Sequence, residues 1–293
     1  MSVTAPDFDL QSHSHHSDGA LAPAEVVARA GQAGIRVLAL SDHDTVDGVA
    51  EALAAGDEHG VEVVTAVELS SVDPAGEDLH ILGYGIDHED AGLAEDLARF
   101  RADRVGRIGR MADAMEDLGW AVDRVHLDGR AAPGRPHLAE AVYGHPANAQ
   151  RIADEGLATS VDLLVAYLIP GARGFRGRSM PTVSEAIEVI QRAGGVAVWA
   201  HPFWDIEDPD EVHACLRRFT TAGLDGVEAF YVTHTEAQTR QLAGWADELG
   251  LLTTGSADFH GPDHPRFSAF GAFSLYGLTP RIGRLAPSVV DPA

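Results

Sequence analysis

The sequence predicts an α/β fold in which helices alternate with buried parallel strands. Three observations predict it. Short apolar runs recur at Phe8–Leu10, Val37–Leu40, Val61–Val67, Leu79–Tyr84, Val196–Trp199, Val227–Tyr231 and Leu251–Thr254. Glycines close helical stretches just before several of them, at Gly34, Gly60, Gly195 and Gly250. Polar residues of metal-ligand type sit beside the runs: His13, Glu68, His80, His201, Asp258 and His260. Helix, glycine, buried strand and polar residue is the rhythm of a parallel β/α fold, whose sites gather at the carboxyl ends of the strands.

The elements follow in order. Residues 8–92 alternate strand and helix. Pro23–Ala33 reads as a helix with proline at its start and Gly34 past its end. Thr45–His59 reads as a second helix, with Thr45 as N-cap. Near Asp90 the rhythm changes. From Ala91 to about Gly177 the pattern is helical, with one apolar stripe through Leu93, Leu97, Phe100, Ile108, Met111, Met115 and Leu118. The β/α rhythm resumes at Thr182–Ala193 and runs to about Leu275. The expected organisation is a discontinuous barrel, residues 1–90 and 179–278, interrupted by a helical insertion or lid at 91–178. Residues 279–293 are expected to form a loosely ordered tail.

Composition narrows the function. At 293 residues with 45% apolar content, the chain suffices for one large barrel or two modest domains. The net charge of −24 argues against broad electrostatic binding to duplex nucleic acid or anionic lipid. All basic residues are arginine. Lysine Schiff-base chemistry and a lysine-bearing phosphate loop are therefore excluded, and a phosphate clamp must use arginine. The single cysteine, Cys215, excludes an intrachain disulfide and a thiolate metal cage, and is expected to be buried in a helix. No signal-peptide pattern and no apolar run near ~18 residues occur, so a cytoplasmic protein without membrane contact is expected. No obligate protein partner is evident.

The metal-ligand types lie in motifs: Asp9-Leu10-Gln11-Ser12-His13, Ser17-Asp18-Gly19, Ser41-Asp42-His43-Asp44, Val67-Glu68-Leu69, His80-Ile81-Leu82-Gly83-Tyr84, Ala200-His201-Pro202 and Ala257-Asp258-Phe259-His260. Together, over roughly residues 8–275, they resemble the polymerase and histidinol phosphatase (PHP) superfamily, in its stand-alone phosphoesterase branch with a helical insertion. The resemblance implies a distorted (β/α)7 barrel with two or three divalent ions, Mn, Fe or Zn. It implies one ion at Gln11, His13, Glu68 and Asp258. A second would sit at Glu68, His80 and His201, and a third at Asp18, His43 and His260. The family opens Asp-Leu-His-x-His, so the ungapped register puts Gln11 where a histidine is usual. The other register pairs His13 with His15 but needs a deletion before Asp18, and the ungapped one is preferred. Asp42 and Asp44 are expected to orient His43.

The resemblance further implies phosphate monoester hydrolysis by a metal-bridging hydroxide, with Glu68, Asp258 and His201 at its centre. Small phosphorylated nucleotides, of the nucleoside 3′,5′-bisphosphate or short oligoribonucleotide type, are the expected substrates. Histidinol phosphate or a sugar phosphate is the alternative, as is a metal-binding module of low activity. Twelve of the 21 arginines fall in the insertion. Arg104 interrupts its apolar stripe, and Arg135 precedes Pro136-His137. Arg104, Arg135, His137, Arg176, His234 and His16 are therefore the candidate substrate contacts, with Tyr231 expected in the core.

Overall fold

The structure, a computed structural model, describes residues 6–74, 76–128 and 133–285. The chain divides into two compact units, residues 1–97 with 181–293, and residues 98–180.

In the first unit seven strands hydrogen-bond in chain order. They are β1 (Phe8–Asp9), β2 (Val37–Leu40), β3 (Glu62–Asp73), β4 (Gly76–Tyr84), β5 (Val196–Trp199), β6 (Gly226–Tyr231) and β7 (Leu252–Ser256). The β1–β2–β3 and β5–β6–β7 ladders are parallel. The sheet returns on itself: the Leu10 N–H donates to Gly255 O at 3.1 Å, and the His13 N–H to Phe259 O at 2.8 Å. The result is a distorted (β/α)7 barrel. Strands β2, β5 and β6 are buried along their whole length, as strands covered on both faces must be.

One strand departs from the parallel rhythm. β4 runs antiparallel to both β3 and β5. β3 ends at Asp73 and β4 begins at Gly76, whereas a parallel crossover needs about a dozen residues or more. The reversal also places its ligand-type residue. His80 pairs with Ser70 and Leu82 with Glu68, so His80 lies two residues along the ladder from Glu68.

The helices α1 (Pro23–Gln32) and α2 (Val49–His59) flank the first strands. Gly60 closes α2 in the left-handed conformation at φ 68°, which glycine adopts without steric cost. Helix α2 begins at Val49, later than the sequence pattern suggested. The Thr45 hydroxyl accepts from the Asp47 N–H in a local turn, and Asp44 sits at φ 54°, so neither residue starts the helix. Helix α3 (Ala91–Asp117) buries the stripe Leu93, Leu97, Phe100, Ile108, Met111 and Met115. The second unit continues through α4 (Arg124–Asp128), α5 (Arg135–Tyr143), α6 (Ala149–Asp154) and α7 (Ser160–Tyr167), around a core of Met111, Trp120, Leu138 and Leu163. The barrel resumes with α8 (Val183–Arg192), capped by the Thr182 hydroxyl, then α9 (Pro202–Asp205), α10 (Pro209–Thr221) and α11 (Glu236–Leu249). Cys215 is buried in α10. Of the expected tail, Arg281 exchanges hydrogen bonds with Thr253 and Ile282 is buried, while residues 286–293 lie outside the described residues. Among the described residues no helix is long and apolar enough to cross a membrane.

Candidate metal centre

Each strand end delivers its donors by a local device. The segment after β1 carries His13 and Asp18, and Asp42 after β2 folds it. The Asp42 carboxylate accepts from the Ser14 N–H, the Ser14 hydroxyl and the Ser17 hydroxyl, each at 2.7 Å. Gly19 makes this turn possible, since a Cβ there would meet His13 O at 2.2 Å. Asp44 accepts from the Ser70 N–H at 3.0 Å, tying the His43 loop to β3. His201, Asp258 and Asp44 have φ of 28°, 55° and 54°. Side-chain-bearing residues hold such backbone only where surrounding structure enforces it, often at functional sites.

Glu68 is the hub. Its buried carboxylate has Oε2 at 3.0 Å from His13 Nε2 and 3.6 Å from His43 Nδ1. Oε1 lies 2.7 Å from His80 Nδ1 and 3.2 Å from His201 Nε2. Asp258 Oδ1 lies 3.1 Å from His13 Nε2 and 3.6 Å from His260 Nδ1. Asp18 faces His260, His43 and His13 at 3.4, 3.6 and 3.6 Å. Two sets of donors, His13-Asp18-His43-His260 and His43-Glu68-His80, each lie within 4.8 Å of one another.

These donors fit cations. His13 Nε2, His43 Nδ1, His80 Nδ1 and Asp258 Oδ1 are buried and close together, yet none has a hydrogen-bond partner. Buried polar atoms are normally paired, and their approach without a hydrogen bond suits lone pairs aimed at a shared positive charge. Imidazole and carboxylate without sulfur is the donor set of Zn²⁺, Mn²⁺ or Fe²⁺. The electrostatics agree. Burial would raise the Glu68 carboxyl, but the surrounding imidazoles, His43 and His80 first, hold it well below its usual value. Burial pushes the His43 imidazole down to about 3, against the pull of Glu68 and Asp18.

The comparisons with known proteins decide the family. A family model described as the PHP domain matches residues 9–127. A 5′-3′ exoribonuclease of Haemophilus influenzae is 33% identical over 256 residues, 87% of this chain and 90% of that protein. A 3′,5′-nucleoside bisphosphate phosphatase of Chromobacterium violaceum is 32% identical, over 87% of this chain and 88% of its own. The chain belongs to the PHP family. A phosphoribosyl 1,2-cyclic phosphate 1,2-diphosphodiesterase of Eggerthella lenta is 29% identical over 96% of this chain and 99% of its own. Among solved structures, an amidohydrolase from Chromobacterium violaceum with bound sulfate and no metal superposes with a TM-score of 0.82 and 29% identity, covering 97% of each chain.

Within this PHP barrel the sequence-predicted residues are placed as follows. His13, Asp18, His43, Glu68, His80, His201, Asp258 and His260 converge as described. Gln11 is buried beside them: its amide nitrogen donates to Glu68 Oε2 at 3.1 Å, and its Oε1 faces the Ser256 hydroxyl at 3.4 Å. His15 is exposed and its ring sits 4.8 Å from that of His16. Gln11, not His15, thus touches Glu68. His234 is buried against Phe203 and Tyr231, its Nδ1 3.2 Å from Ala229 O, and burial lowers its pKa to about 4. Tyr231 is core, as expected, and its hydroxyl donates to Asp258 Oδ2 at 2.8 Å. Four candidates belong to the helical unit. There Arg104 is buried and donates to Pro133 O, and Arg107 donates to Arg176 O. Arg176 donates to Arg173 O and Phe175 O. His137 Nδ1 accepts from the Gly134 N–H at the start of α5, which Arg135 opens.

Two supporting carboxylates escaped the sequence reading. Glu228 on β6 is fully buried and accepts from the His201 N–H at 2.9 Å and the Ser256 hydroxyl at 2.6 Å. Burial raises its pKa to about 8, against the pull of His201. Asp205 faces His201 Nδ1 at 3.4 Å from one turn further along, leaving Nε2 to point at Glu68. A carboxylate behind a ligating imidazole orients it and raises its basicity. Asp205 was findable as His201 i+4. Glu228 was hidden inside an apolar run.

Proposed function

We propose that this PHP-family phosphoesterase hydrolyses phosphate esters of small nucleotides, of the nucleoside 3′,5′-bisphosphate or short oligoribonucleotide type, with at least two divalent cations held around Glu68. The observation that carries the reading is the convergence of unpaired, buried nitrogen and oxygen donors on the two sides of one carboxylate. Three relatives, named for nucleoside bisphosphates, RNA ends and a cyclic phosphoribosyl ester, all act on phosphorylated ribose. Divalent cations bound among such donors supply Lewis acidity toward phosphoryl oxygens and an activated water near neutral pH.

The chain's own groups do the rest. Glu68 Oε1 and Oε2 face different imidazoles, so one carboxylate serves both donor sets. His80 and His201 lie on the Oε1 side and His13 and His43 on the Oε2 side, where Asp258, Asp18 and His260 join them. Glu228 holds the backbone of His201, Asp205 faces its Nδ1 at 3.4 Å, and Tyr231 fixes the second oxygen of Asp258. The net charge of −24 favours a small nucleotide over a long polyanion, which the surface field would repel. A cytoplasmic place for the enzyme fits such substrates.

The test is phosphate release by chelator-stripped protein reloaded with Mn²⁺, on adenosine 3′,5′-bisphosphate, a 5′-phosphorylated trinucleotide, phosphoribosyl 1,2-cyclic phosphate and histidinol phosphate. A nucleotide is expected to give the highest kcat/KM. Preference for histidinol phosphate would overturn the substrate reading, and turnover independent of metal would overturn the site.

A further inference from the structure

Among the described residues, the exposed large hydrophobic side chains are Val105, Val125, Val161, Val165 and Trp204. The four valines lie in the helical unit. Trp204, 46% exposed, is therefore the one such side chain in the barrel unit. Its place is specific. It lies on α9, directly after His201, and its N–H donates to His201 O at 2.8 Å. Its ring meets Phe267 edge-on at 5.6 Å, and the Arg266 guanidinium lies 5.1 Å from its centroid. Phe267 in turn lies 5.5 Å from the His260 ring and 6.2 Å from Tyr231, whose hydroxyl holds Asp258. Trp204 is thus the outer end of a continuous array of rings that starts at the metal donors. The other members, Phe267 and Tyr231, are at most 9% exposed.

A half-exposed indole contributes little to the core, and a larger apolar side chain beside a polar centre has a ready use in gripping a planar ligand. The Arg266 guanidinium lies over the indole ring and steadies it by a cation–π contact, so a base would use the indole's other face. We propose that Trp204, flanked by Arg266, is the stacking platform for the nucleobase of the substrate. The inference rests on the nucleotide reading above and extends it to the base subsite. Stacking of this kind accepts any base, because every base has a π-face, so the platform selects nucleotides over base-free phosphate esters without selecting among bases.

The experiment uses the full chain loaded with Mn²⁺. It compares wild type, Trp204→Ala, Trp204→Leu and Trp204→Phe on adenosine 3′,5′-bisphosphate and on the base-free 1-O-methylribose 3,5-bisphosphate. The readout is the ratio of kcat/KM for the nucleotide over the base-free ester, with metal content as the check on folding. Alanine and leucine are each expected to lower that ratio by about tenfold or more, mainly through KM for the nucleotide, while phenylalanine retains most of it. Leucine separates stacking from mere apolar cover of Phe267. An unchanged ratio in the alanine variant, or a leucine variant as selective as phenylalanine, overturns the platform while leaving nucleotide hydrolysis intact. Binding of adenosine 3′,5′-bisphosphate, followed by tryptophan fluorescence, separates the converse case. Quenching that is lost in Trp204→Phe, without turnover of any nucleotide, supports the platform and overturns the nucleotide hydrolysis.

Discussion

Replacing Asp42 should release the segment that carries His13 and Asp18 without removing a metal donor. Three hydrogen bonds at 2.7 Å end on its carboxylate, from the Ser14 N–H, the Ser14 hydroxyl and the Ser17 hydroxyl. Asp42, Ser14 and Ser17 are all buried, so water cannot replace the lost partners. A hydrogen bond to a charged group contributes about 1.5–3 kcal/mol, and a buried donor left unpaired costs about 1–3 kcal/mol. Removing a buried charge returns part of its desolvation cost. Asp42→Ala should therefore destabilise by about 3–5 kcal/mol, a large share of the roughly 5–15 kcal/mol that holds a domain together. Asp42→Asn keeps an oxygen at Oδ1 for the Ser14 N–H and the Ser17 hydroxyl and loses only the Ser14 hydroxyl bond, about 1–1.5 kcal/mol. Urea unfolding of chelated protein measures both, and metal content after Mn²⁺ loading measures the consequence. The alanine variant should lose bound metal as well as stability, and the asparagine variant should retain most of both. Equal destabilisation by the two would refute the bond accounting, and metal loss in the asparagine variant as severe as in alanine would make Asp42 a ligand itself.

Glu68→Gln should reduce metal affinity by more than the roughly 10–100-fold typical of losing an outer partner, since the carboxylate faces four imidazoles; wild-type metal content would refute its central role. Glu228→Ala strands the His201 N–H and leaves the Ser256 hydroxyl only its longer contact to Gln11, and should cost about 2–4 kcal/mol with loss of metal, whereas Glu228→Gln should stay within about 1 kcal/mol of wild type in urea unfolding. Chelation should lower the thermal midpoint by about 5–10 °C relative to protein held at 100 times the metal Kd, from about 2.7 kcal/mol of linked binding. Protons compete for the same imidazoles. The carboxylates of Asp258 and Glu68 outweigh burial and hold His13 well above its ordinary pKa, so metal affinity should weaken as pH falls from 8 to 6; an affinity flat across that range would count against imidazole ligation. Arg135→Ala, if the sequence expectation of a phosphate contact is right, should raise KM about 10–100-fold, and an unchanged KM would remove it from consideration.

Much of the fold was legible because strands buried on both faces leave apolar runs with no alternation. β2 and β5 appear in the structure with the bounds their runs suggested. The direction of β4 was not legible. β3 extends past Glu68 through Ser70 and Ser71, which are buried polar residues, so no apolar pattern marked its end and the short connection stayed hidden. The start of α2 was misplaced for a related reason. Thr45 has cap chemistry, but its hydroxyl serves a turn beside Asp44, whose left-handed backbone belongs to the site rather than to a helix.

The donors themselves were easy to find and their supports were not, and the barrel explains why. Most donors follow strands, and Glu68 and His80 lie within β3 and β4, but each is a polar residue that breaks or borders an apolar run and so draws notice. The supports that were missed inside strands, Asp9 and Glu228, are carboxylates within apolar runs, which read as the solvent face of a half-buried sheet, whereas Asp42 and Asp44 stand out beside His43. Closure of the barrel removes that face. Asp9 on β1 and Glu228 on β6 are both fully buried, and both point their oxygens at backbone N–H groups near the donors: Asp9 at Ala257 and Gly271, Glu228 at His201. Gln11 belongs to the same layer of contacts. Its amide bridges Glu68 and Ser256, and Ser256 bonds Glu228, so a chain of side chains joins the hub of the site to the residue that fixes His201. Gln11, where the sequence resemblance leads one to expect histidine, thus ties into the support of the site. It gives Glu68 a hydrogen-bond donor on the side away from His80, and it couples the departure to Ser256 and Glu228. Gln11→His removes the donor to Glu68 Oε2 while the Ser256 hydroxyl keeps its bond to Glu228 at 2.6 Å, so the variant should fold as wild type does and bind Mn²⁺ more tightly; metal content after loading that is unchanged or lower would show that position 11 is a support and not a ligand position.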